Sequence, residues 1–346
     1  MLQNEIRVMR IRRRILFICG SMNQTTMMEM ISRYLDHHDC WFTPHYTDGF
    51  IGILEKSKLI EWTVAGQGHQ LRALKFLEQR GKQIDFRGSR HMYDLVVTCS
   101  DLVVPKNIRH GRVVLVQEGM TDPENMAFYL VKYLGLPRYL ASTSTFGMSD
   151  AYMRMCVASE GYKQHFVQKG AKHSKLVVTG IPNFDNCIEY AEHPFEHSNF
   201  VLVATSDARE TFKYENRRAT IERAVSIANG RKLIFKLHPN EQADRAIAEI
   251  SRWAPQAEVL TGRPIEPIIA HCDTLITKYS SCVYVGIALG KTVYSDFPIR
   301  TLRALCPIQN GGRSAERIAA VCEEVVDTLG VRVAVLQPQQ NIASAA

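Results

Sequence analysis

The chain has 346 residues, of which 46% are hydrophobic and 22% are charged, with a formal net charge of +7. This composition is typical of a globular protein, and the absence of low-complexity tracts and of a repeat period excludes disordered and solenoid classes. The length suits two α/β domains better than one. Because the basic residues are spread along the chain without an aromatic-rich or zinc-knuckle pattern, we expect no nucleic-acid partner.

The cysteines and the hydropathy of the sequence predict a cytoplasmic protein without a membrane-spanning helix. The nine cysteines form no CxxC pair and mostly lie inside apolar runs, which indicates a reduced, cytoplasmic protein. No apolar run reaches the roughly 18 residues of a membrane-spanning helix, and the N-terminus lacks the apolar core of a secretory signal. The basic run from Arg10 to Arg14 predicts a solvated strand start, a contact with an acidic acceptor, or a peripheral contact with anionic lipid at the inner membrane face.

Apolar runs of strand length alternate with segments of helical spacing along the chain. In the first half, strands are predicted at 14–19, 39–43, 93–98, 112–117, 140–143 and 175–180, and helices at 25–35, 66–81 and 150–169. In the second half, strands are predicted at 199–204, 231–237, 257–260, 273–277 and 291–295, and helices at 214–229, 241–253, 264–271, 281–289 and 314–329. This order predicts two doubly wound α/β domains, 1–190 and 191–337, with a disordered tail at 338–346.

Polar residues follow two strands of the second domain. His238 and Pro239 end the run that begins at Leu233, and Ser280 and Ser281 follow the run that begins at Leu275. In a parallel sheet these groups meet at the carboxyl edge, where hydroxyls, an imidazole and free N–H groups can bind a phosphate. The alternatives are a solvated loop histidine and a plain helix N-cap. Two cations, Lys278 and Arg209, are further candidates for binding a diphosphate.

The first domain offers candidate carboxylates. Glu118 follows the strand at 112–117 and precedes Gly119, so it faces the edge where a doubly wound domain binds ligands, unless it serves as an N-cap or a structural ion pair. Asp101 is a second candidate acid or else a turn residue. The turn after the first strand contains Gly20, Ser21 and Asn23, which we expect to approach a ligand.

Motifs for other chemistries are missing from the sequence. There is no HExxH, no paired Cys/His spacing, no P-loop, no GxSxG and no GxGxxG. We therefore expect neither a metal site nor a bound cofactor.

Residues 14–330 resemble the GT-B glycosyltransferases and their relatives, which have two facing Rossmann-like domains separated by a cleft. The segments Gln117-Glu118-Gly119, Glu160-Gly161, 178–185 and 286–293 are similar to the nonhydrolysing UDP-N-acetylglucosamine 2-epimerases. The ordered set of Gln117-Glu118-Gly119, His238-Pro239 and Ser280-Ser281 resembles the acid-acid-Gly, His-Pro and Ser-Ser motifs of bacterial sialyltransferases, a branch that also holds Kdo transferases and CDP-glycerol glycerophosphotransferases. The first acid of that motif is Gln117 here, and the epimerase TDSGG pattern is replaced by Thr277-Lys-Tyr-Ser-Ser281.

The resemblance implies a metal-independent glycosyltransferase that moves a sugar from a UDP-, CMP- or CDP-linked donor to a glycan or lipid-linked acceptor in surface glycan biosynthesis. Glu118 is then the base, His238 stabilises the leaving phosphate, and Ser280 and Ser281 anchor it. Glu266 would contact the nucleotide ribose or base, unless it only complements a helix dipole. A 2-epimerase and a non-catalytic nucleotide-sugar or glycan-binding protein are the alternatives.

Overall fold

The computed structural model describes residues 12–44, 67–102, 105–108, 111–210 and 214–329. The predicted tail 338–346 and the first residues of the basic run lie outside these ranges. Strands and helices are numbered below in chain order within the described residues. None of the described helices is both long enough and apolar enough to cross a membrane.

The N-terminal sheet has seven parallel strands in the order β3-β2-β1-β4-β5-β6-β7. The strands are β1 (Arg14–Ile18), β2 (Asp39–Thr43), β3 (Gln83–Ile84), β4 (Leu95–Thr98), β5 (Val113–Val116), β6 (Arg154–Val157) and β7 (Leu176–Val178). The central strands are continuous apolar runs because helices cover both faces of a parallel sheet. The helices of this half are α1 (Met22–Ser32), α2 (Gln67–Gln79), α3 (Met126–Leu134) and α4 (Glu160–Lys169).

The C-terminal sheet has five parallel strands in the order β10-β9-β8-β11-β12. These strands are β8 (Val201–Ala204), β9 (Leu233–Lys236), β10 (Glu258–Leu260), β11 (Thr274–Ile276) and β12 (Thr292–Tyr294). The helices are α5 (Arg217–Ala228), α6 (Ala243–Trp253), α7 (Glu266–His271), α8 (Cys282–Ala288), α9 (Ile299–Leu305) and α10 (Ser314–Asp327). The predicted α/β class with two parallel, doubly wound sheets is confirmed.

The last helix belongs spatially to the first sheet. Although α10 follows the second sheet in sequence, it packs against α1 and against β4, β5 and β6. Asp185 fixes its start, because the carboxylate accepts hydrogen bonds from the backbone N–H and the hydroxyl of Ser314. The division of the chain near residue 190 stays a prediction.

Two element predictions are wrong. The segment 140–143 is not a strand but part of a 3₁₀ segment, Arg138–Thr145, in which Ser142 has a positive φ that breaks any extended run. The segment 150–169 is not one helix. It contains β6, then Ser159 as the N-cap of α4, because the short apolar run Met155–Val157 pairs with β5 in the sheet interior.

The two halves make direct contact through α4. The hydroxyls of Tyr162 on α4 and Tyr284 on α8 lie 2.8 Å apart and are both buried. Gly161 lies so close to α9 that an added Cβ atom would collide with the backbone oxygen of Ala304. Ser159 donates its hydroxyl hydrogen bond to the carbonyl of Leu305. These contacts hold the carboxyl edges of the two sheets near one another.

Candidate functional site

Glu118 lies directly after β5 and accepts two side-chain hydrogen bonds. Ser21 donates its hydroxyl to Oε1 over 2.8 Å, and Gln24 donates Nε2 to Oε2 over 2.6 Å. The carboxylate is half-buried, and desolvation raises its pKa above the ordinary value despite the two donors that act in the opposite direction. A carboxylate with a raised pKa, held by neutral donors rather than by a cation, is a base that can exchange a proton.

The turn after β1 supplies both donors. Ser21 is the N-cap of α1, and its oxygen accepts the backbone N–H of Gln24 at 3.2 Å. Gly20 is buried beneath this turn, whereas Asn23 is exposed and its carbonyl accepts from the amide of Asn183. The structure therefore brings Ser21 to Glu118, while Asn23 faces solvent beside the segment that includes Asn183.

The position before Glu118 has a structural task. The buried Gln117 side chain accepts the N–H of Ala158 at 2.9 Å and donates to the carbonyl of Gly119 at 2.8 Å. An ionised acid at this position could not make the second bond. Gln117, which stands where the sialyltransferase motif has its first acid, thus ties the backbone around Glu118 to Ala158 through its side chain.

Gly119 brings the first sheet's edge to the second. A Cβ atom at Gly119 would lie 3.3 Å from Cβ and 3.4 Å from Oγ of Ser281. Ser281 begins α8, yet its side chain makes no capping hydrogen bond, while the oxygen of Ser280 accepts the N–H of Cys282 at a long 3.5 Å. The Ser281 hydroxyl therefore lies where the two halves meet, beside Gly119, which is the residue after Glu118 in the chain.

His238 ends the run that contains β9 and is held by its loop. Its backbone N–H donates to the hydroxyl oxygen of Thr205 at 3.0 Å, and its Nδ1 accepts the backbone N–H of Asn240 at 3.3 Å. With Nδ1 as the acceptor, the neutral ring carries its proton on Nε2, which can donate to a ligand. Burial lowers the pKa of His238, although Asp207, with Oδ2 at 3.6 Å from Nδ1, opposes this shift.

A buried charged cluster lies behind the His238 loop. Glu241 accepts from the hydroxyl of Thr205 at 2.5 Å and from the guanidinium of Arg217, and its own N–H donates to the carbonyl of His238. Burial is the largest influence on the carboxyl and raises the pKa of Glu241. The cluster links β8, β9 and α5, and it fixes the loop that presents the imidazole.

The two predicted cations are placed differently. Both guanidinium ends of Arg209 are occupied by Glu249, at 2.8 and 2.7 Å. Lys278 is less tightly held, since its Nζ lies 3.9 Å from Glu215 Oε1. Within the described residues Lys278 is therefore the more available cation at the carboxyl edge, next to Ser280.

The hydrogen-bond partners of Asp101 hold a turn of the first domain together. Its carboxylate is buried and accepts from Arg138 at 2.7 Å and from the backbone N–H groups of Gly147 and Ser149 at 3.1 Å each. These bonds favour the turn-residue alternative over a second cleft acid.

Pro239 lies at the carboxyl edge of the second sheet. Glu266 lies before β11. Pro239 is exposed in the His238 turn. Glu266 opens α7, and its carboxylate counteracts the lowering of the Lys236 pKa that burial causes. The described contacts join His238 neither to Glu118 nor to Ser281, so the candidate residues form two clusters, one at the carboxyl edge of each sheet.

Three residues of these clusters have contacts that the sequence does not predict. Gln24 and Glu241 lie inside the segments 20–24 and 238–241 that we expect to line a cleft, but the sequence assigns them no role, and Thr205 lies outside these segments. The Ser21-x-x-Gln24 spacing is a capping-box signal that could have placed Gln24 in the first turn of α1, but the turn does not indicate that its amide leaves the helix for Glu118. The partners of Thr205 and Glu241 come from other strands and cannot be read from local sequence.

A group of possible metal ligands lies at the opposite edge of the first sheet. His37, His38 and Glu323 place ligand atoms within 4.8 Å of one another. However, Nδ1 of His38 accepts the backbone N–H of Arg13 at 3.2 Å, so the neutral ring holds its proton on Nε2 and donates it to Glu323. The donor set fits hydrogen bonding between the turn before β2 and α10 better than a metal site.

Solved structures share this two-sheet arrangement. Anabaena HepE in complex with UDP-glucose is 14% identical, with 92% of this chain and 99% of that chain covered and a TM-score of 0.51. The UDP-GlcNAc 2-epimerase from Neisseria meningitidis bound to UDP-GlcNAc is 11% identical, with 91% and 100% covered and a TM-score of 0.52. S. aureus MnaA with UDP is 9% identical, with 92% and 97% covered and a TM-score of 0.53.

Comparison with curated proteins finds no match. No family model matches the chain either. The likeness at these identities concerns the fold, and it confirms the GT-B-like architecture of two facing Rossmann-like units that the motifs predicted.

Proposed function

We propose that this protein is a glycosyltransferase that moves a sugar from a nucleotide-activated donor to a hydroxyl group of an acceptor. The observation that supports the proposal is the close approach of Gly119, the residue after the half-buried Glu118, to the Ser281 side chain at the start of α8. A fold of this kind binds ligands at the carboxyl edges of its strands, which is where both clusters lie.

Glu118 acts as the general base. Its carboxylate removes the proton of the acceptor hydroxyl as that oxygen bonds to the anomeric carbon and the bond from this carbon to the donor phosphate breaks. Ser21 and Gln24 orient the carboxylate without a positive charge that would lower its basicity. Gln117 keeps the Glu118 backbone in place.

The second cluster receives the leaving phosphate. Nε2 of His238 donates a hydrogen bond as negative charge develops, and Ser280, Ser281 and Lys278 are the further donors. Because burial favours the neutral imidazole, His238 serves as a hydrogen-bond donor rather than as a fixed cation in the free protein. UDP-sugars in HepE and the Neisseria epimerase support a nucleotide-sugar ligand for this chain.

The epimerase alternative is supported by one of the solved structures with a similar fold. The solved structures of similar fold include an epimerase bound to UDP-GlcNAc, and a basic carboxylate can also remove a carbon-bound proton. The third possibility is a protein that binds nucleotide sugars without turnover. We place the transferase first because of the ordered His-Pro and Ser-Ser segments, and we propose a cytoplasmic enzyme with a glycan or lipid-linked acceptor.

One donor panel separates the three functions. The protein is incubated with UDP-, CMP- and CDP-sugars, with and without hydroxyl acceptors, and nucleotide release is followed by chromatography. The transferase proposal predicts nucleotide release that rises when an acceptor is added. Conversion of UDP-GlcNAc to UDP-ManNAc would support the epimerase instead. Binding in calorimetry without any turnover would support a protein that binds nucleotide sugars without catalysis.

A further inference from the structure

A buried lysine lies at the carboxyl end of β9, two residues before His238. Lys236 is 4% exposed, and its Nζ donates one hydrogen bond, to the carbonyl of Leu237 at 2.7 Å. An ammonium group has three N–H donors, so two of them find no acceptor in the part of the chain that the structure describes. Burying a charge without full hydrogen bonding costs free energy, so stability alone does not explain this side chain.

The neighbouring charges do not neutralise Lys236 by direct contact. Glu266 acts on it from beyond ion-pair distance, opposing the lowering of the Lys236 pKa that burial causes. The other charged groups around this sheet edge have partners of their own. These pairs are Arg209 with Glu249, Arg217 with Glu241, Arg245 with Glu210, Lys278 with Glu215, and Asp207 with Asn240 and His238. Among the described residues, Lys236 is therefore a buried cation without a counter-ion in contact.

The side chain of Lys236 lies on the face of the second sheet that α7 covers. Successive side chains of a strand alternate, so Ile234 and Lys236 share one face of β9. Ile234 belongs to the core cluster that includes Ile268 of α7, whereas Phe235 belongs to the core cluster on the other face. Lys236 therefore lies on the side of the helix that Glu266 opens, and Glu266 is the candidate contact for the ribose or base.

Lys236 is within electrostatic reach of both ends of the candidate nucleotide site. Burial lowers the pKa of His238 and Asp207 opposes that shift, while the charge of Lys236 adds to the lowering. Burial likewise lowers the pKa of Lys236, and Glu266 opposes that shift. A nucleotide with its leaving phosphate at His238 and its ribose at Glu266 would pass beside this ammonium group. In a nucleoside diphosphate, the group between these two is the phosphate that is attached to the ribose.

We propose that Lys236 binds the phosphate group that is attached to the ribose of the donor nucleotide. Its two remaining N–H donors and its positive charge complement an anionic oxygen, and such charge-assisted hydrogen bonds are stronger than neutral ones. His238, Ser280 and Ser281 supply neutral donors, so the lysine adds charge that these groups lack. This inference rests on the proposed function, because it assigns a further residue to the same nucleotide site.

Calorimetry with the full chain tests the assignment, using UDP, UMP and uridine and the corresponding cytidine ligands. Lys236→Met removes the ammonium group and keeps a side chain of similar length. We expect the affinities for the diphosphate and the monophosphate to fall by the same factor, roughly tenfold to hundredfold, because both carry the ribose-linked phosphate. The affinity for the nucleoside should stay unchanged, because it has no phosphate.

Lys232→Met is the matched control. Lys232 directly precedes β9, at the opposite end of the strand, and its Nζ is paired with Glu258 at 2.8 Å. This variant also loses one lysine, and it should bind every ligand like the wild type. Urea unfolding adds a second measurement. Without nucleotide, Lys236→Met should unfold at a urea concentration at least as high as the wild type, since a desolvated charge is removed. At one fixed UDP concentration it should gain less stability than the wild type.

A purely structural role for Lys236 predicts different results. Loss of the hydrogen bond to Leu237 would then lower the stability of the nucleotide-free variant, and the affinities for nucleotides and nucleoside would fall together. That outcome, or equal UDP and UMP affinities of Lys236→Met and Lys232→Met, overturns this inference and leaves the proposed function standing. If the wild type binds none of the nucleotides, the proposed function is overturned together with it.

Discussion

Two features of Glu118 are those expected of a carboxylate that acts as a base. Burial raises its pKa, while the hydroxyl of Ser21 and the amide of Gln24 hold it without adding charge. Because the folded pKa exceeds the unfolded one, ionisation of Glu118 lowers the stability of the fold as pH rises through the window above 4.5. A group that is retained at such a cost is a candidate for function rather than for stability.

His238→Ala tests the second cluster at the scale of one residue. The variant loses the Nε2 donor, so the affinity for a nucleoside diphosphate should fall by about 1–3 kcal/mol, the usual scale for a hydrogen bond to a charged group. Isothermal titration calorimetry with UDP and CDP measures this change. Because burial lowers the pKa of His238, titration of this group should change the wild-type affinity with pH only below pH 6.5.

The control for this variant is His173→Ala. His173 is exposed in the turn before β7, on the first sheet, and its removal should leave nucleotide affinity unchanged. Equal affinity of His238→Ala and the wild type for every nucleotide that binds would make His238 a loop residue without contact to the phosphate.

At the scale of elements, the end of α4 carries a buried cation. Lys169 is only 2% exposed, and its Nζ lies between the rings of Phe128 and Phe166 at 5.3 and 5.8 Å. Burial lowers the pKa of Lys169 from its ordinary 10.5 to about 8. The unfolded chain therefore binds one more proton than the folded chain between these values, and stability should rise with pH across that window.

Lys169→Met removes this titration. The variant should be more stable than the wild type at pH 7 by about 1–3 kcal/mol, since a shift of one pKa unit corresponds to about 1.4 kcal/mol. The difference should shrink as pH rises from 8 to 10.5. Urea unfolding at several pH values measures it, and a constant difference across that range would show that the ammonium is not desolvated.

Regular elements could be predicted from sequence because their signals are local. The runs Leu233–Lys236 and Val113–Val116 are continuous and apolar, as a strand covered on both faces requires. The failures come from non-local causes. Arg138–Thr145 has no regular period, since Asp101 from another loop holds Arg138, and β6 is a four-residue strand whose pairing with β5 overrides the helical signal around it.

At the scale of the whole molecule, the sequence predicted that the candidate residues follow the carboxyl ends of their strands, but it did not predict which of them are in contact. The order of the motifs, together with the rule that ligands bind at carboxyl ends, indicated Ser21, Glu118, His238 and Ser281. The approach of Gly119 to Ser281 depends on how α4 packs against α8 and α9, which no local pattern encodes. The role of Gln117 is also non-local. In the sequence it is only a departure from the first acid of the motif, whereas in the structure its buried side chain accepts the N–H of Ala158.

Gly161→Ala tests the packing of the two halves. The new methyl group would collide with the Ala304 carbonyl, so α9 must move away from α4. We expect a loss of about 1–3 kcal/mol in the free energy of unfolding, the usual scale for overpacking. Gly68→Ala on α2 is the matched control, because no atom from another described element lies within 4 Å of its added Cβ, and helix propensity should stabilise it slightly. Equal stabilities of the two variants in urea unfolding would contradict the close contact.

The most direct test of the proposed transferase is Glu118→Gln, assayed with the donor and acceptor that support turnover in the wild type. We expect kcat to fall by roughly 10²–10⁴, the scale of a positioned general base, while nucleotide affinity and the fold are retained. Since burial raises the pKa of Glu118, the wild-type rate should also show an acidic limb above pH 4.5 that the variant lacks. Near-normal turnover of Glu118→Gln with an unchanged pH profile would contradict the assignment of the base.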